Sequence, residues 1–225
     1  MTLNTDQVIE LIYELINKVN DSSEEYISQF LIDLVKLIKM HPSESDSRLL
    51  RRTIDEVISS IEVFQDYREV RKVCIFGSAR CKEDHPNYIL TEEVASELTN
   101  AGFMTITGAG PGIMEAGNKG AGENGSFGLN ILLPFEQEPN KYIKESGKLI
   151  SYRYFFTRKL FFLKESHAII LFPGGFGTQD EGFEVLTLIQ TGRCSPRPVI
   201  LINSEKSDYW KAWLTYVQTQ LLDRH

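Results

Sequence analysis

The apolar residues change their spacing near residue 70. Before it they recur at helical intervals: Val8, Ile9, Leu11, Ile12, Leu15, Ile16 and Val19 form one stripe, and Ile27, Phe30, Leu31, Leu34, Val35 and Ile38 form a second. Ser22 and Glu25 have capping-box spacing ahead of the second stripe. His41-Pro42 ends it, because proline cannot continue a helix. After the polar stretch Ser43 to Ser47, a third amphipathic run spans about Leu49 to Phe64. Residues 1–70 therefore read as a helical extension whose apolar stripes must cover the following domain, a partner or each other. They carry no recognisable chemistry.

From Arg71 to the end, short β-rich runs alternate with helical ones. Strands are predicted at Val73–Phe76, Phe103–Thr107, Phe127–Leu133, Lys148–Ile150, Ala168–Phe172 and Val199–Ile202. Helices are predicted over about Thr91–Ala101, Ile113–Glu123, Phe155–Ser166, Gln179–Gln190 and Tyr209–Leu222. Such βα alternation implies right-handed crossovers and a parallel sheet covered on both faces, a doubly wound Rossmann-like α/β domain over residues 71–225.

Ligands of such sheets bind at the carboxyl ends of the strands, where the strand order reverses. Three glycine-bearing turns fall at strand ends here: Gly77-Ser78-Ala79-Arg80, Gly108-Ala109-Gly110-Pro111-Gly112-Ile113-Met114, and Pro173-Gly174-Gly175-Phe176-Gly177-Thr178. None reads GxGxxG, and no Gly-Lys-Ser/Thr follows, so neither the dinucleotide fingerprint nor the P-loop is present. What they offer is close approach of backbone N–H groups followed by a helix start, which together attract an anion. A mononucleotide phosphate fits this better than a dinucleotide.

Chemistry beside the anion comes from the third turn. Thr178 and Glu181 have T-x-x-E spacing, so a capping box and a ligand role are both open and compatible. A carboxylate in the first helical turn is favoured in its ionised form, so Glu181 is expected to be an anion at neutral pH, with Glu184 on the same face. Arg158-Lys159 interrupts the apolar run Tyr154 to Leu163, which predicts a largely buried helix and an arginine in need of an anion. That anion is either Glu181, Glu184 or Glu165 in a salt bridge, or a ligand in the same pocket. Arg80, Arg153 and Arg193 lie near these loops in sequence.

Charge narrows the partners. With 31 acidic against 24 basic residues and a net charge of −7, the chain lacks the basic balance of a nucleic-acid binder. No apolar run approaches the roughly 18 residues of a membrane span, and MTLNTDQVIE does not read as a secretory signal, so a cytoplasmic protein without membrane partners is expected. The three cysteines, Cys74, Cys81 and Cys194, form no CxxC pair, and the four histidines are scattered, so neither a disulfide framework nor a metal site is signalled.

Several ordered motifs, spanning about residues 71–204, resemble the "Lonely guy" proteins, the cytokinin riboside 5′-monophosphate phosphoribohydrolases once labelled lysine decarboxylases. Pro173 to Glu181 fits PGGxGTxxE. Gly108 to Ala116 is similar to the bacterial form GGGPGIMEA, Gly77-Ser78 follows the first strand, and Thr157-Arg158-Lys159 stands at the family's arginine–lysine pair. The resemblance implies hydrolysis of the N-glycosidic bond of a nucleoside 5′-monophosphate of the AMP or cytokinin type, without a cofactor. By position it makes Arg158 and Glu181 the catalytic pair. Phosphate falls to Gly174, Gly175, Gly177 and Thr178, and Gly108, Gly110, Gly112 and Met114 line the nucleotide site, with Gly77, Ser78, Lys159 and Glu184 as further substrate-binding positions. It also implies a homodimer or higher homo-oligomer.

Three departures stand out: Ala109 replaces a glycine, residues before 70 lie outside the family core, and the chain stops directly after a helix where relatives commonly continue. The alternative function is a non-catalytic nucleotide or phosphorylated-cofactor carrier using the same loops. A pyridoxal-dependent decarboxylase using Lys159 lacks the rest of its apparatus, and a scaffold with vestigial loops is the remaining reading.

Overall fold

The computed structural model describes residues 5–16, 24–134, 138–205 and 207–223; Ser22, half of the expected capping box, lies outside them. The chain divides into two compact units, Met1–Arg52 and Thr53–His225. In the first, α1 (Thr5–Ile16) packs on α2 (Glu24–Lys39), and Ile12 and Val35 are buried. A third helix, α3 (Glu44–Phe64), begins in the first unit and ends in the second. It starts ahead of the expected Leu49 because Ser43 Oγ accepts the Asp46 amide and so caps it. Its last turns belong to the sheet domain: Phe64 is buried against Phe127 and Phe161.

Six strands form the sheet: β1 (Lys72–Phe76), β2 (Met104–Thr107), β3 (Ser126–Ile131), β4 (Leu149–Tyr152), β5 (Ala168–Leu171) and β6 (Val199–Leu201). They are all parallel, in the order β4-β3-β2-β1-β5-β6. The intervening helices are α4 (Pro86–Asn100), α5 (Ile113–Gly125), α6 (Phe155–Glu165), α7 (Phe176–Gln190) and α8 (Tyr209–Tyr216), the last continued by a wider helical turn, Val217–Leu222. The doubly wound α/β fold expected from the alternation is the fold observed.

Strand residues alternate between two cores, as the pleat requires. Cys74, Phe76, Phe127, Leu129, Ile169 and Leu171 pack with Phe64 of α3, Phe161 and Phe162 of α6, Val185 of α7 and Trp210 of α8. Val73, Ile75, Ile170 and Phe172 pack with Ala95 of α4 and with Ile113 and Ala121 of α5. Both faces being covered explains why β1 is buried at all five positions and is apolar from Val73 to Phe76, while Lys72 at its start turns its ammonium to Tyr67 O and Val70 O. Chain direction across the sheet reverses between β1 and β5, which pair directly from Val73↔Ala168 to Phe76↔Leu171. Their carboxyl ends therefore open on the crevice where ligands of this fold bind.

Like α3, two further helices start earlier than the sequence suggests. Pro86 opens α4 rather than Thr91, with His85 Nδ1 accepting the Asn87 amide. At α7 the N-cap is Gly175, so Thr178 lies inside the first turn and the Thr178–Glu181 capping box does not form.

Candidate functional site

The loops after β1, β2 and β5 converge. Ser78 N donates to Pro173 O at 3.1 Å, and Ile113 N donates to Ser78 O at 3.1 Å. This interlock explains Gly112, whose φ is +68° and where a Cβ would stand 2.4 Å from Ser78 O. The second loop is anchored from below. Buried Asn140 receives nothing from it but donates Nδ2 toward Ala109 O, Gly110 O and Asn118 Oδ1 at 2.9–3.1 Å, while its own amide donates to Ala109 O. Ala109 itself sits at φ +61°, fully buried, holding the left-handed conformation that a glycine would adopt freely.

Between the loops lies a cleft of about 620 Å³. Of the positions expected from the sequence, Gly77, Ser78, Gly108, Met114, Arg158, Gly175, Gly177, Thr178 and Glu181 line it. Gly110, Gly112, Gly174, Lys159 and Glu184 do not. Gly110 and Gly112 shape the second loop, as described. Gly174 packs so tightly that a Cβ would meet Thr178 Oγ1 at 2.1 Å, and its carbonyl accepts the Tyr209 hydroxyl at 2.6 Å. Arg80 reaches the cleft, whereas Arg153 and Arg193 are exposed outside it. Asn130 and Phe155 were not singled out from the sequence; both line the cleft, and alternation along β3 and the first turn of α6 is the only signal that points to them.

Phe176, Gly177 and Thr178 open α7 at the cleft wall, and the amides of a first helical turn have no intrahelical acceptor. One turn further, Glu181 is only 8% exposed. Its Oε1 lies 3.8 Å from Arg158 Nη2 and its Oε2 lies 3.8 Å from Lys159 Nζ. Burial pushes the Glu181 carboxyl up to about 7, against the pull of Lys159 and Arg158 and with the push of Glu184 and Asp180. The expectation of a fully ionised Glu181 is thus corrected: loss of water outweighs the helix end.

The adjacent basic residues Arg158 and Lys159 of α6 differ in their surroundings. Burial pulls the Lys159 ammonium down, but its bonds to Glu184 (2.6 Å) and Asp180 (2.9 Å) overcome this and leave its pKa raised. Arg158 is held between the rings of Phe155 and Phe162, at 5.3 and 5.5 Å, and its Nε is buried without a partner. That donor is closed off from solvent, so it is the other nitrogens of the guanidinium that can meet an acceptor in the cleft. The expected buried helix is also corrected: Thr157, Phe161, Phe162 and Glu165 are buried, but Phe155, Phe156 and Leu160 stay half-exposed.

Among the described residues, no group of three His, Cys, Asp or Glu side chains is placed to hold a metal ion, and no helix is long and apolar enough to cross a membrane.

A doubly wound parallel sheet with a helix start and a buried carboxylate in the crevice at its strand carboxyl ends defines an α/β protein of the Rossmann-like class. The chain belongs to the family described as "Possible lysine decarboxylase", whose model matches residues 112–225. It is 26% identical over 149 residues to a cytokinin riboside 5′-monophosphate phosphoribohydrolase of Arabidopsis thaliana, covering 65% of this chain and 68% of that protein. A probable enzyme of the same name from Oryza sativa subsp. japonica is 26% identical over 149 residues, 65% of this chain and 59% of the relative. This chain therefore spans less than two thirds of the rice protein's length. Among solved structures, the fold is similar to the Moco carrier protein of Chlamydomonas reinhardtii, with TM-score 0.46, 18% identity, and 67% of this chain and 85% of that one covered. It is also similar to DNA processing protein A of Helicobacter pylori, with TM-score 0.48, 19% identity, and coverage of 67% and 74%.

Proposed function

We propose that the protein hydrolyses the N-glycosidic bond of a nucleoside 5′-monophosphate, releasing free base and ribose 5-phosphate. The observation that carries this reading is the placement of Gly175, Gly177 and Thr178 at the start of α7 together with Arg158 and Glu181 on the walls of one cleft. The names of the plant relatives supply the substrate class.

The helix-start amides grip the 5′-phosphate, and this remote binding positions the ribose. The C1′–N bond breaks with its electron pair leaving on the base, which takes up a proton. Ionised Glu181 stabilises the oxocarbenium-like carbon and orients the water that adds to C1′, while Arg158 fixes the carboxylate and a substrate acceptor. Lys159, locked protonated by Glu184 and Asp180, is a poor candidate for a Schiff base, which requires a free amine. Its task is to hold the acidic side of α7 against α6.

The reading includes a homodimer. Phe155 and Phe176 on the cleft wall, the latter 96% exposed, and the exposed Phe156 and Leu160 of α6 are apolar surface that a second copy would cover. Sedimentation at several protein concentrations tests this.

Chromatography of the purified protein incubated with AMP and with a cytokinin riboside monophosphate tests the activity. Free base and ribose 5-phosphate in equal amounts are expected, and Glu181→Gln is expected to abolish them. Tight nucleotide binding with no base released over hours would replace the enzyme by a carrier.

A further inference from the structure

The site has a support outside the sheet domain's α/β core, in the helix that carried no recognisable chemistry in the sequence. Glu56 of α3 is buried, 7% exposed, although it lines no part of the cleft. Its Oε1 accepts the backbone amide of Arg153 at 2.7 Å, and its Oε2 accepts the hydroxyl of Thr157 in a short hydrogen bond. One turn along α3, Ser60 Oγ donates to Glu56 O at 2.6 Å and accepts from the Tyr152 hydroxyl at 2.6 Å. Two residues of α3 thus hold the end of β4, the connecting turn and the first turn of α6. Arg158 is the next residue after Thr157. No side chain caps α6 at its own N-cap, Tyr154, so this carboxylate anchors the helix start from outside, beside the local bond from the Thr157 hydroxyl to Tyr154 O at 2.9 Å.

We infer that Glu56 is a positioning residue for Arg158, fixing the guanidinium against Glu181 through the backbone and hydroxyl of residues 153–157. The inference deepens the proposed hydrolase reading and rests on Arg158 and Glu181 forming its catalytic pair. The mechanical logic is plain. Phe155 is half-exposed and Arg158 makes only a 3.8 Å approach to Glu181, so of its side-chain contacts the buried Phe162 ring alone is rigid, and a ring face does not set how far the guanidinium reaches along it. A charged acceptor bound to the preceding turn does, since hydrogen bonds to ionised groups are the stronger kind. Errors of about 1 Å in such placement cost on the order of 100-fold in rate.

The test uses the full chain with Glu56→Ala, Glu56→Gln and Thr157→Val. Two readouts are taken: kcat and KM for base release from AMP, and the titration midpoint of the Glu181 carboxyl carbon by NMR, assigned by its loss in Glu181→Gln. The carboxyl of Glu181 is faced by Arg158 and Lys159 from α6, by Asp180 and Glu184 on α7, and by Cys74 of β1. Of these, Arg158 is the group the anchor controls. Glu56→Ala is expected to lower kcat about 10- to 100-fold with KM within about threefold, because the phosphate-binding start of α7 is untouched. It is expected to raise the Glu181 midpoint as the cation withdraws. Glu56→Gln restores most of the rate, since its amide oxygen still accepts the Arg153 amide. Thr157→Val moves both readouts in the same direction as the alanine variant and decides the matter if Glu56→Ala does not fold. Unchanged kcat and midpoint in folded Thr157→Val and Glu56→Ala overturn the inference. If the wild type releases no base at all, the hydrolase reading fails, and the NMR midpoint alone then decides whether Glu56 places Arg158.

Discussion

Arg158 and Glu181 stand 3.8 Å apart, near enough to attract and too far to share a hydrogen bond. Glu181 is buried, the Arg158 side chain is 12% exposed, and both line the cleft. The pair is poised for a third participant.

The first consequence is a pH dependence. Burial holds the Glu181 carboxyl up at about 7, and the carboxylate is the form that suits a developing cation. kcat/KM for base release is therefore expected to rise with pH through about 7 and level off above it. Lys159→Met removes a cation 3.8 Å from Oε2, so the rising limb should move up by about one unit. A rate that falls above pH 7 would assign Glu181 as the proton donor instead.

Stability should show the opposite preference. The folded-state pKa of Glu181 is raised from 4.5 to about 7, so its ionisation disfavours the fold. Stability is whole below the unfolded value and is lost as pH climbs through the folded one. Glu181→Gln keeps the shape without the charge. It is expected to be about 2–3 kcal/mol more stable than the wild type at pH 8 and equal to it at pH 4, by urea denaturation at both pH values. A stabilised, inactive variant would be the usual signature of a residue kept for chemistry.

Two adjacent glycines should respond differently. A Cβ on Gly174 would collide with Thr178 Oγ1 at 2.1 Å, so Gly174→Ala is expected to cost about 1–3 kcal/mol and to lose phosphate binding. A Cβ on Gly175 meets nothing within 4 Å and faces the cleft. Gly175→Ala is therefore expected to leave stability within about 0.5 kcal/mol while raising KM. Thermal melts and AMP titrations of both variants separate folding from binding.

Arg158→Lys retains a positive charge but neither the planar fork nor the stacking between Phe155 and Phe162. Turnover is expected to fall about 100-fold or more, with the variant still folded by circular dichroism. Wild-type turnover would reduce Arg158 to an ordinary counter-ion of Glu181.

The sheet and its three loops were legible in the sequence because each depends on local signals: apolar runs bounded by glycine and proline. The start of α7 was not, because Gly175 caps without a side chain and leaves Thr178 looking like the cap. The charge state of Glu181 was misjudged for a related reason. A helix end is visible in the sequence, but the loss of water around a carboxyl depends on the tertiary packing that buries it, and here that burial outweighs even the opposing charges of Arg158 and Lys159 from another helix. Glu56 was invisible altogether. Its partners Arg153 and Thr157 lie 97 and 101 positions away, and nothing about a glutamate in an amphipathic run announces them.

The hydrogen bond from Ser78 to Pro173 ties together the first and fifth strands' loops, with most of the domain intervening. A chain emerging from the ribosome therefore has no pocket until its last third is made. Any nascent or truncated form ending before residue 173 lacks the acceptor of this bond and carries two glycine turns without the third loop on which they converge.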